Sequence, residues 1–360
     1  MAKEVKKKHR FFRFTARSLM TVAAVALGLS YLSIFVNPAK LWFMTLFGLM
    51  YLPFLLLNAT LLVLALLRRS KAMWIPIVAL LPSLLLFGGH FQLSGPSDPP
   101  GTDDIKIVTY NVGRFAYGTN ADATRDSVFR FLHRQNADII CLQEVSVRGK
   151  ASLADIFRKE FRGYNIEYYS YSGKSGSYGN VTLSRFPLKN KGKITFEQSA
   201  NMAVYSDYEI GNRTIRVYNC HFQSYNISLA NIGKALRSNT SGAVRDTEGK
   251  MKFSLRLRPR QVDAVIKDIQ GCELETFVVG DFNDTPMSYT YWKLSRGHRD
   301  SFKDAGKGFG ATYSMLGPLL RLDYVLSPKG LSATSHKVLK IKYSDHYPVI
   351  ATFKNEKDRR

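Results

Sequence analysis

Three uncharged apolar runs, Ser18–Val36, Leu41–Leu67 and Met73–Leu93, fill most of the first hundred residues, and nothing comparable recurs after Pro100. Each reaches or approaches the ~20 residues that cover a ~30 Å hydrocarbon core. The middle run is long enough to tilt, and the third carries Pro76 and Pro82, which membrane helices tolerate better than soluble ones. A cleaved signal peptide fits less well. The basic stretch Lys6-Lys7-Lys8-His9-Arg10 suits one, but two further apolar runs follow, and the small-residue triplet Ala24-Val25-Ala26 lies inside the first run. The sequence therefore predicts a membrane anchor over 1–93 with three transmembrane helices.

Basic residues in the short flanks predict its orientation. Seven Lys and Arg precede the first run, and Arg68, Arg69 and Lys71 separate the second from the third, whereas the loop between the first two offers only Lys40. This places the N-terminus in the cytoplasm and everything after the third span on the far side, which is periplasmic in a bacterium. A Pro- and Gly-rich linker is expected over 94–102, a separate α+β domain over 103–354, and a charged tail over 355–360.

The chain holds 51 Lys+Arg and 28 Asp+Glu; residues 1–100 account for 11 and 2, leaving 40 and 26 and a net +14 on the remainder. That excess points to an anionic partner, either nucleic acid or phospholipid. It is densest at 226–260, with eight basic and two acidic residues, where a polyanion or headgroup contact is expected. Three cysteines, Cys141, Cys220 and Cys272, with no Cys-x-x-Cys spacing, exclude a disulfide framework and a thiolate zinc site.

Beyond residue 103, short β-rich runs repeatedly end in polar side chains. Ile105–Asn111 stops at Asn, Asp138–Glu144 at Glu and Thr214–His221 at His; Thr276–Gly280 runs into Asp281 and Asn283, Asp323 opens another run, and Asp345-His346 precedes the last. Helical spacing places Val128, Phe131 and Leu132 on one face. It also predicts a helix over Pro259–Ile269, with Pro259 in its first turn. Carboxylate and amide oxygens suit hard Mg2+ or Mn2+. Phosphoester hydrolysis needs such a cation, an activated water and donors for the developing charge, and this residue set offers all three.

The ordered motifs Thr109-Tyr-Asn-Val112, Leu142-Gln-Glu-Val145, Gly179-Asn-Val-Thr-Leu-Ser184, Asn219-Cys-His-Phe-Gln223, Gly280-Asp-Phe-Asn283, Arg321-Leu-Asp-Tyr324 and Ser344-Asp-His346 resemble the endonuclease/exonuclease/phosphatase (DNase I-like) superfamily across 103–354. The resemblance implies a four-layer α/β/β/α sandwich with its site at one rim. It implies metal ligation by Glu144, assisted by Asn111 and Asp345, and catalytic roles for Asp281, Asn283, His221 and an Asp323–His346 pair. His221, Asn283 and Asn180 would bind phosphate. It leaves open whether Asp281 or His346 is the base. The leading expectation is a membrane-anchored nuclease-like phosphodiesterase. A lipid phosphodiesterase or phosphatase, sphingomyelinase-like or phosphoinositide phosphatase-like, is the alternative, and a non-catalytic binding module is the third.

Overall fold

The computed structural model describes residues 2–93, 95, 101, 104–148, 152–173, 176–225 and 241–354. Nearly all of the expected 94–102 linker, the 355–360 tail and the 226–240 half of the basic segment lie outside the described residues.

Two six-stranded sheets dominate, with strands numbered in chain order. The first runs, in spatial order, β13 (Ala333–Val338), β14 (Val349–Phe353), β2 (Ile105–Asn111), β3 (Ile139–Arg148), β5 (Gly176–Ser184) and β4 (Asn165–Gly173). The second runs β10 (His298–Asp300), β12 (Asp323–Pro328), β9 (Glu275–Asp281), β8 (Arg213–His221), β7 (Met202–Ile210) and β6 (Leu188–Thr195). Among the described strands, only β2–β3 and β8–β9 pair in parallel.

Side-chain alternation builds the layers. Ile107, Ile139 and Cys141 point inward and meet Val217, Phe277 and Val325 of the other sheet. Their sequence neighbours Val108, Ile140 and Leu142 point outward beneath helices Ala121–Gln135 and Leu153–Glu160. Across the sandwich, Tyr218, Val278 and Leu326 lie under helix Ser241–Gln270 and helix Tyr289–Ser295. The α/β/β/α order expected from the resemblance is the one observed. Val128, Phe131 and Leu132 are buried as their spacing predicts.

Helix Ser241–Gln270 begins well before Pro259, which sits in its interior rather than its first turn. Proline there removes one helical hydrogen bond. Tertiary contacts outweigh that loss, because Leu255 and Arg258 on the preceding turn are buried and Arg258 pairs with Asp284 at 2.9 Å. Arg258 is therefore taken out of the basic segment as a polyanion contact, while Arg245, Lys250, Arg256 and Arg260 remain exposed.

The three-span reading is not upheld. Two segments, Phe14–Leu32 and Lys71–Gly89, are long and apolar enough to cross a bilayer. The middle run is broken at Met50, where the backbone leaves helical geometry between helix Met44–Leu49 and helix Tyr51–Leu67. The remaining 17 residues extend only ~26 Å, short of a ~30 Å core. Apolar side chains including Val22, Val25, Leu56, Val63, Val78 and Leu84 face outward.

These helices also pack on the sandwich. Leu27, Ile34 and Tyr51 form one cluster with Met287, and Ser33 Oγ donates to the Met287 carbonyl at 3.1 Å. Phe35 meets Trp292 edge-on, and β1 (Phe91–Gln92) pairs with β11 (Gly308–Phe309). A Cβ on Gly48 would lie 2.1 Å from the Met287 oxygen, so only glycine permits this approach.

Beneath β12 a buried charge pair holds the second sheet. Arg321 donates through both terminal nitrogens to Asp300, which also accepts from Tyr291 Oη at 2.7 Å and the Phe302 amide at 3.0 Å. Burial alone would raise the Asp300 carboxyl, but the Arg321 guanidinium outweighs it and holds the pKa below the usual range. Asp300→Ala would strand a buried guanidinium and is expected to destabilise the domain by ~3–5 kcal/mol, read by chemical denaturation. Nearby, burial pushes His336 down to about 3. The unfolded imidazole takes a proton near ~6.5 and the folded one does not, so stability is expected to fall as pH drops from ~6.5 toward that depressed value. Asp300 adds to the loss in more acidic solution, once its own carboxylate protonates. Melting temperatures at pH 7.5 and 5, compared between wild type and His336→Gln, isolate this contribution, and the variant should lose less on acidification.

Candidate active site

The two parallel strand pairs, β2–β3 and β8–β9, deliver their C-terminal ends to the same rim. Asn111 ends β2, and His221 and Asp281 stand opposite each other at the ends of β8 and β9, with Asp323 paired across from Asp281. Gly280 makes this close pairing possible. Its φ is +131°, and a Cβ there would lie 2.1 Å from the Cys220 carbonyl oxygen.

Glu144 does not end its strand as the sequence suggested. β3 continues to Arg148 through a bulge in which Gln143 and Glu144 stand opposite the single residue Asn180. Glu144 has φ +53°, and the bulge turns its side chain toward the rim.

Around Asp281, fully buried, the polar contacts converge. Asn111 Nδ2 donates to Asp281 Oδ2 at 2.9 Å and to Glu144 Oε1 at 3.3 Å. Asn283 donates from its amide to Asp281 Oδ1 at 2.8 Å and from Nδ2 to Oδ2 at 3.1 Å. His346 Nδ1 is 2.8 Å from Asp323 Oδ2, and its Nε2 lies 3.7 Å from Asp281 Oδ2. His221 Nε2 stands 3.5 Å from Glu144 Oε1 and 3.9 Å from Asp281 Oδ2. Asp345 sits beside the Gly113 turn and accepts from Ser344 Oγ at 3.2 Å.

The electrostatics follow from this crowding. Burial raises the Asp281 pKa, an effect that His346 opposes and Asp323 reinforces. For His346 burial favours the neutral ring, yet the carboxylates of Asp323 and Asp281 outweigh it and raise its pKa. An imidazolium flanked by two buried carboxylates is the resulting charge state at neutral pH.

The sequence-predicted residues Asn111, Glu144, His221, Asp281, Asn283, Asp323 and His346 come together, and Asp345 borders them. Asn180 is buried next to the Glu144 bulge with its Nδ2 directed to the carbonyls of Met202 and Asn219, at 3.4 and 3.3 Å. Among the described residues, Asp281, Asp323 and His346 form the one group of three metal-capable side chains whose ligand atoms all lie within 4.8 Å. His346 and Asp323 are already engaged with each other there, so that trio reads first as a hydrogen-bonded pair beside a carboxylate. Glu144, at the mouth, retains solvent contact and oxygen donors that suit a hard cation.

Sequence reading missed three neighbours. Arg114 reaches Glu144, Tyr313 places its ring 5.1 Å from His346, and a polar lattice joins the sheets under the site. In that lattice Gln143 Nε2 donates to Asn219 Oδ1 at 2.8 Å, and Asn219 Nδ2 donates to Val181 O at 3.0 Å and Thr182 Oγ1 at 3.1 Å. Gln143 and Asn219 lie inside two of the ordered motifs, one and two positions from a functional residue, but nothing local in those motifs marks them as partners of each other.

The profile of the endonuclease/exonuclease/phosphatase family matches residues 108–346. The chain belongs to that family. A second profile, a domain of unknown function (DUF8431), matches residues 9–90. No curated protein sequence matches the chain. Among solved structures, the human Nocturnin catalytic domain with bound sulfate superposes with TM-score 0.52 at 16% identity, covering 71% of this chain and 96% of that one. An endonuclease/exonuclease/phosphatase from Beutenbergia cavernae gives 0.51 at 14%, covering 70% and 71%. Humanized D. rerio TDP2 gives 0.51 at 15%, covering 71% and 100%. At these identities the structures share the fold, and the family match places the chain among hydrolases of phosphate esters.

Asn219→Leu is expected to lower stability by ~1–3 kcal/mol by stranding Gln143 and buried carbonyls. The same change should loosen the strands that carry Glu144 and His221. Denaturation and an activity assay on the same preparation check both, and wild-type behaviour in either would contradict the role of the lattice.

Proposed function

We propose that this protein is a membrane-anchored, divalent-metal-dependent phosphoesterase that cleaves a phosphodiester by in-line attack of water. The carrying observation is that Glu144, buried Asp281, His221 and the Asp323–His346 pair meet at one rim, although they come from five separate places in the sequence. Mg2+ or Mn2+ held by Glu144 with Asn111 and Asp345 would neutralise phosphoryl charge. The donor set fits such an ion, being oxygen-rich and in excess of carboxylate over its fixed cations. Asp281, its basicity raised by burial and its orientation fixed by Asn111 and Asn283, accepts the proton of the attacking water. His346, kept protonated by Asp323 and Asp281, donates from Nε2 to phosphate oxygen, and His221 donates from the opposite side.

The helices support membrane attachment. Arg68, Arg69 and Lys71 lie near the Met20–Leu61–Ala65 end of the helical bundle, while the sandwich contacts the Leu27–Tyr51 end. With helices Met44–Leu49 and Tyr51–Leu67 together completing the return crossing that the second alone is too short to make, this favours a cytoplasmic N-terminus and an extracytoplasmic site, and a reporter fused after Pro100 should score extracytoplasmic. A second reading, a lipid phosphodiesterase or phosphatase, is favoured by one observation. The segment that follows Asn283 packs directly on these apolar helices, and Met315 and Leu316 are exposed close to His346.

Full-length protein in detergent with Mg2+ or Mn2+ should hydrolyse one of DNA, RNA, sphingomyelin or phosphoinositides. Glu144→Ala should abolish that turnover while leaving circular dichroism unchanged. Metal binding without turnover on any of the four classes would contradict the enzyme reading and identify a binding module.

A further inference from the structure

We propose that Arg114 and Tyr178 form an anion subsite beside the scissile position, built to take a second phosphate of the substrate. The proposal rests on the phosphoesterase reading and concerns a part of the rim that the reading leaves unused.

After β2 ends, the chain makes a tight turn with φ of +51° at Gly113, +58° at Arg114 and +54° at Phe115. Left-handed backbone is unfavourable for arginine and phenylalanine, so the turn is held by other forces. Asn111 Oδ1 accepts from the Gly113 amide at 3.0 Å, the Phe115 amide donates to the Val112 carbonyl at 2.9 Å, and the Phe115 ring is buried against Phe129. With Phe115 fixed inward, Arg114 is thrown outward, its side chain 63% exposed.

It does not extend into solvent. The guanidinium carbon lies 4.9 Å from the centre of the Tyr178 ring, and Nε stands 3.5 Å from Glu144 Oε2. An exposed, single-contact ion pair of this length contributes little. It does not account for two unfavourable residues in sequence. Tyr178 also interacts with the guanidinium through its hydroxyl, so the ring fixes Arg114 in place while its remaining N–H donors face outward. A guanidinium resting on an aromatic face keeps those edge donors available for a bidentate phosphate.

The two oxygens of Glu144 divide the rim. Oε1 faces Asn111 and His221, on the side where the Asp323–His346 pair stands, and Oε2 faces Arg114. Tyr178 lies on β5, two positions beyond Glu144 in the β3–β5 register. A phosphate at Arg114 is therefore next to the scissile one and separate from it. A nucleic-acid strand and a polyphosphorylated headgroup share this chemistry.

Calorimetric binding needs no turnover and separates the two sources. With Mn2+ present, the full chain in detergent is titrated with thymidine 3′,5′-bisphosphate against thymidine 5′-monophosphate, and with inositol 1,4-bisphosphate against inositol 1-phosphate. Wild type should prefer the bisphosphate in at least one pair. Arg114→Gln should reduce that preference about tenfold, and Tyr178→Leu should reduce it in the same direction. Free Mn2+ measured by paramagnetic resonance should show metal affinity no weaker in Arg114→Gln. No bisphosphate preference in wild type, a preference untouched by Arg114→Gln, or weakened Mn2+ binding would overturn the subsite. A wild type that binds bisphosphates but hydrolyses no ester would instead count against the phosphoesterase reading alone.

Discussion

Asp281 is a carboxylate with no solvent contact, placed where two sheets meet. Its burial opposes the charge it carries, and the surrounding structure answers that opposition. Asn111 reaches it from the first sheet, Asn283 curls back from two residues on, and His346 and His221 approach from either side. Because the partners come from both sheets, the sheets cannot slide without exposing or orphaning this group. The Gln143–Asn219 lattice just beneath serves the same registration with neutral groups. Fold and site are thus held by one set of contacts.

The same arrangement gives the acids different surroundings. Two acids stand within reach of the His346 ring, Asp323 through Nδ1 and Asp281 through Nε2, and together they keep it charged. Glu144 stands apart at the mouth, the open carboxylate of the set, with its two oxygens serving different neighbours.

Much of this was legible in the sequence because strand period and strand end are local properties. Ile107, Ile139 and Cys141 alternate with Val108, Ile140 and Leu142, and that alternation alone foretells two covered faces. Strand termini at Asn111, His221 and Asp281 were visible as polar stops to apolar runs. The ordered motifs supplied what spacing does not, namely that the stops converge. What escaped notice depends on backbone geometry or distant packing. No local pattern announces that β3 continues past Glu144 through a bulge, or that the Gly113–Phe115 turn is left-handed. Pro259 marked a helix start by rule, but Arg258 and its partner Asp284 carried the helix through it. The break at Met50 had a local signal that went unused, since Pro53 stands in the first turn of helix Tyr51–Leu67 and Gly48 just before the break, where it also allows the backbone of Met287 to come close. The apolar helices and the sandwich also touch directly: helix ends lie against the Pro286–Trp292 segment and β1 pairs with β11, so the helices are connected to strand β9 through the four residues after Asn283.

In the proposed mechanism Glu144 holds the metal, and the Asp281–Asp323–His346 group acts on the ester without being the metal's cage. Anomalous diffraction from crystals soaked in Mn2+ tests it directly. A manganese peak is expected within bonding distance of a Glu144 carboxylate oxygen. A peak centred among Asp281, Asp323 and His346, with Glu144 free, would contradict it.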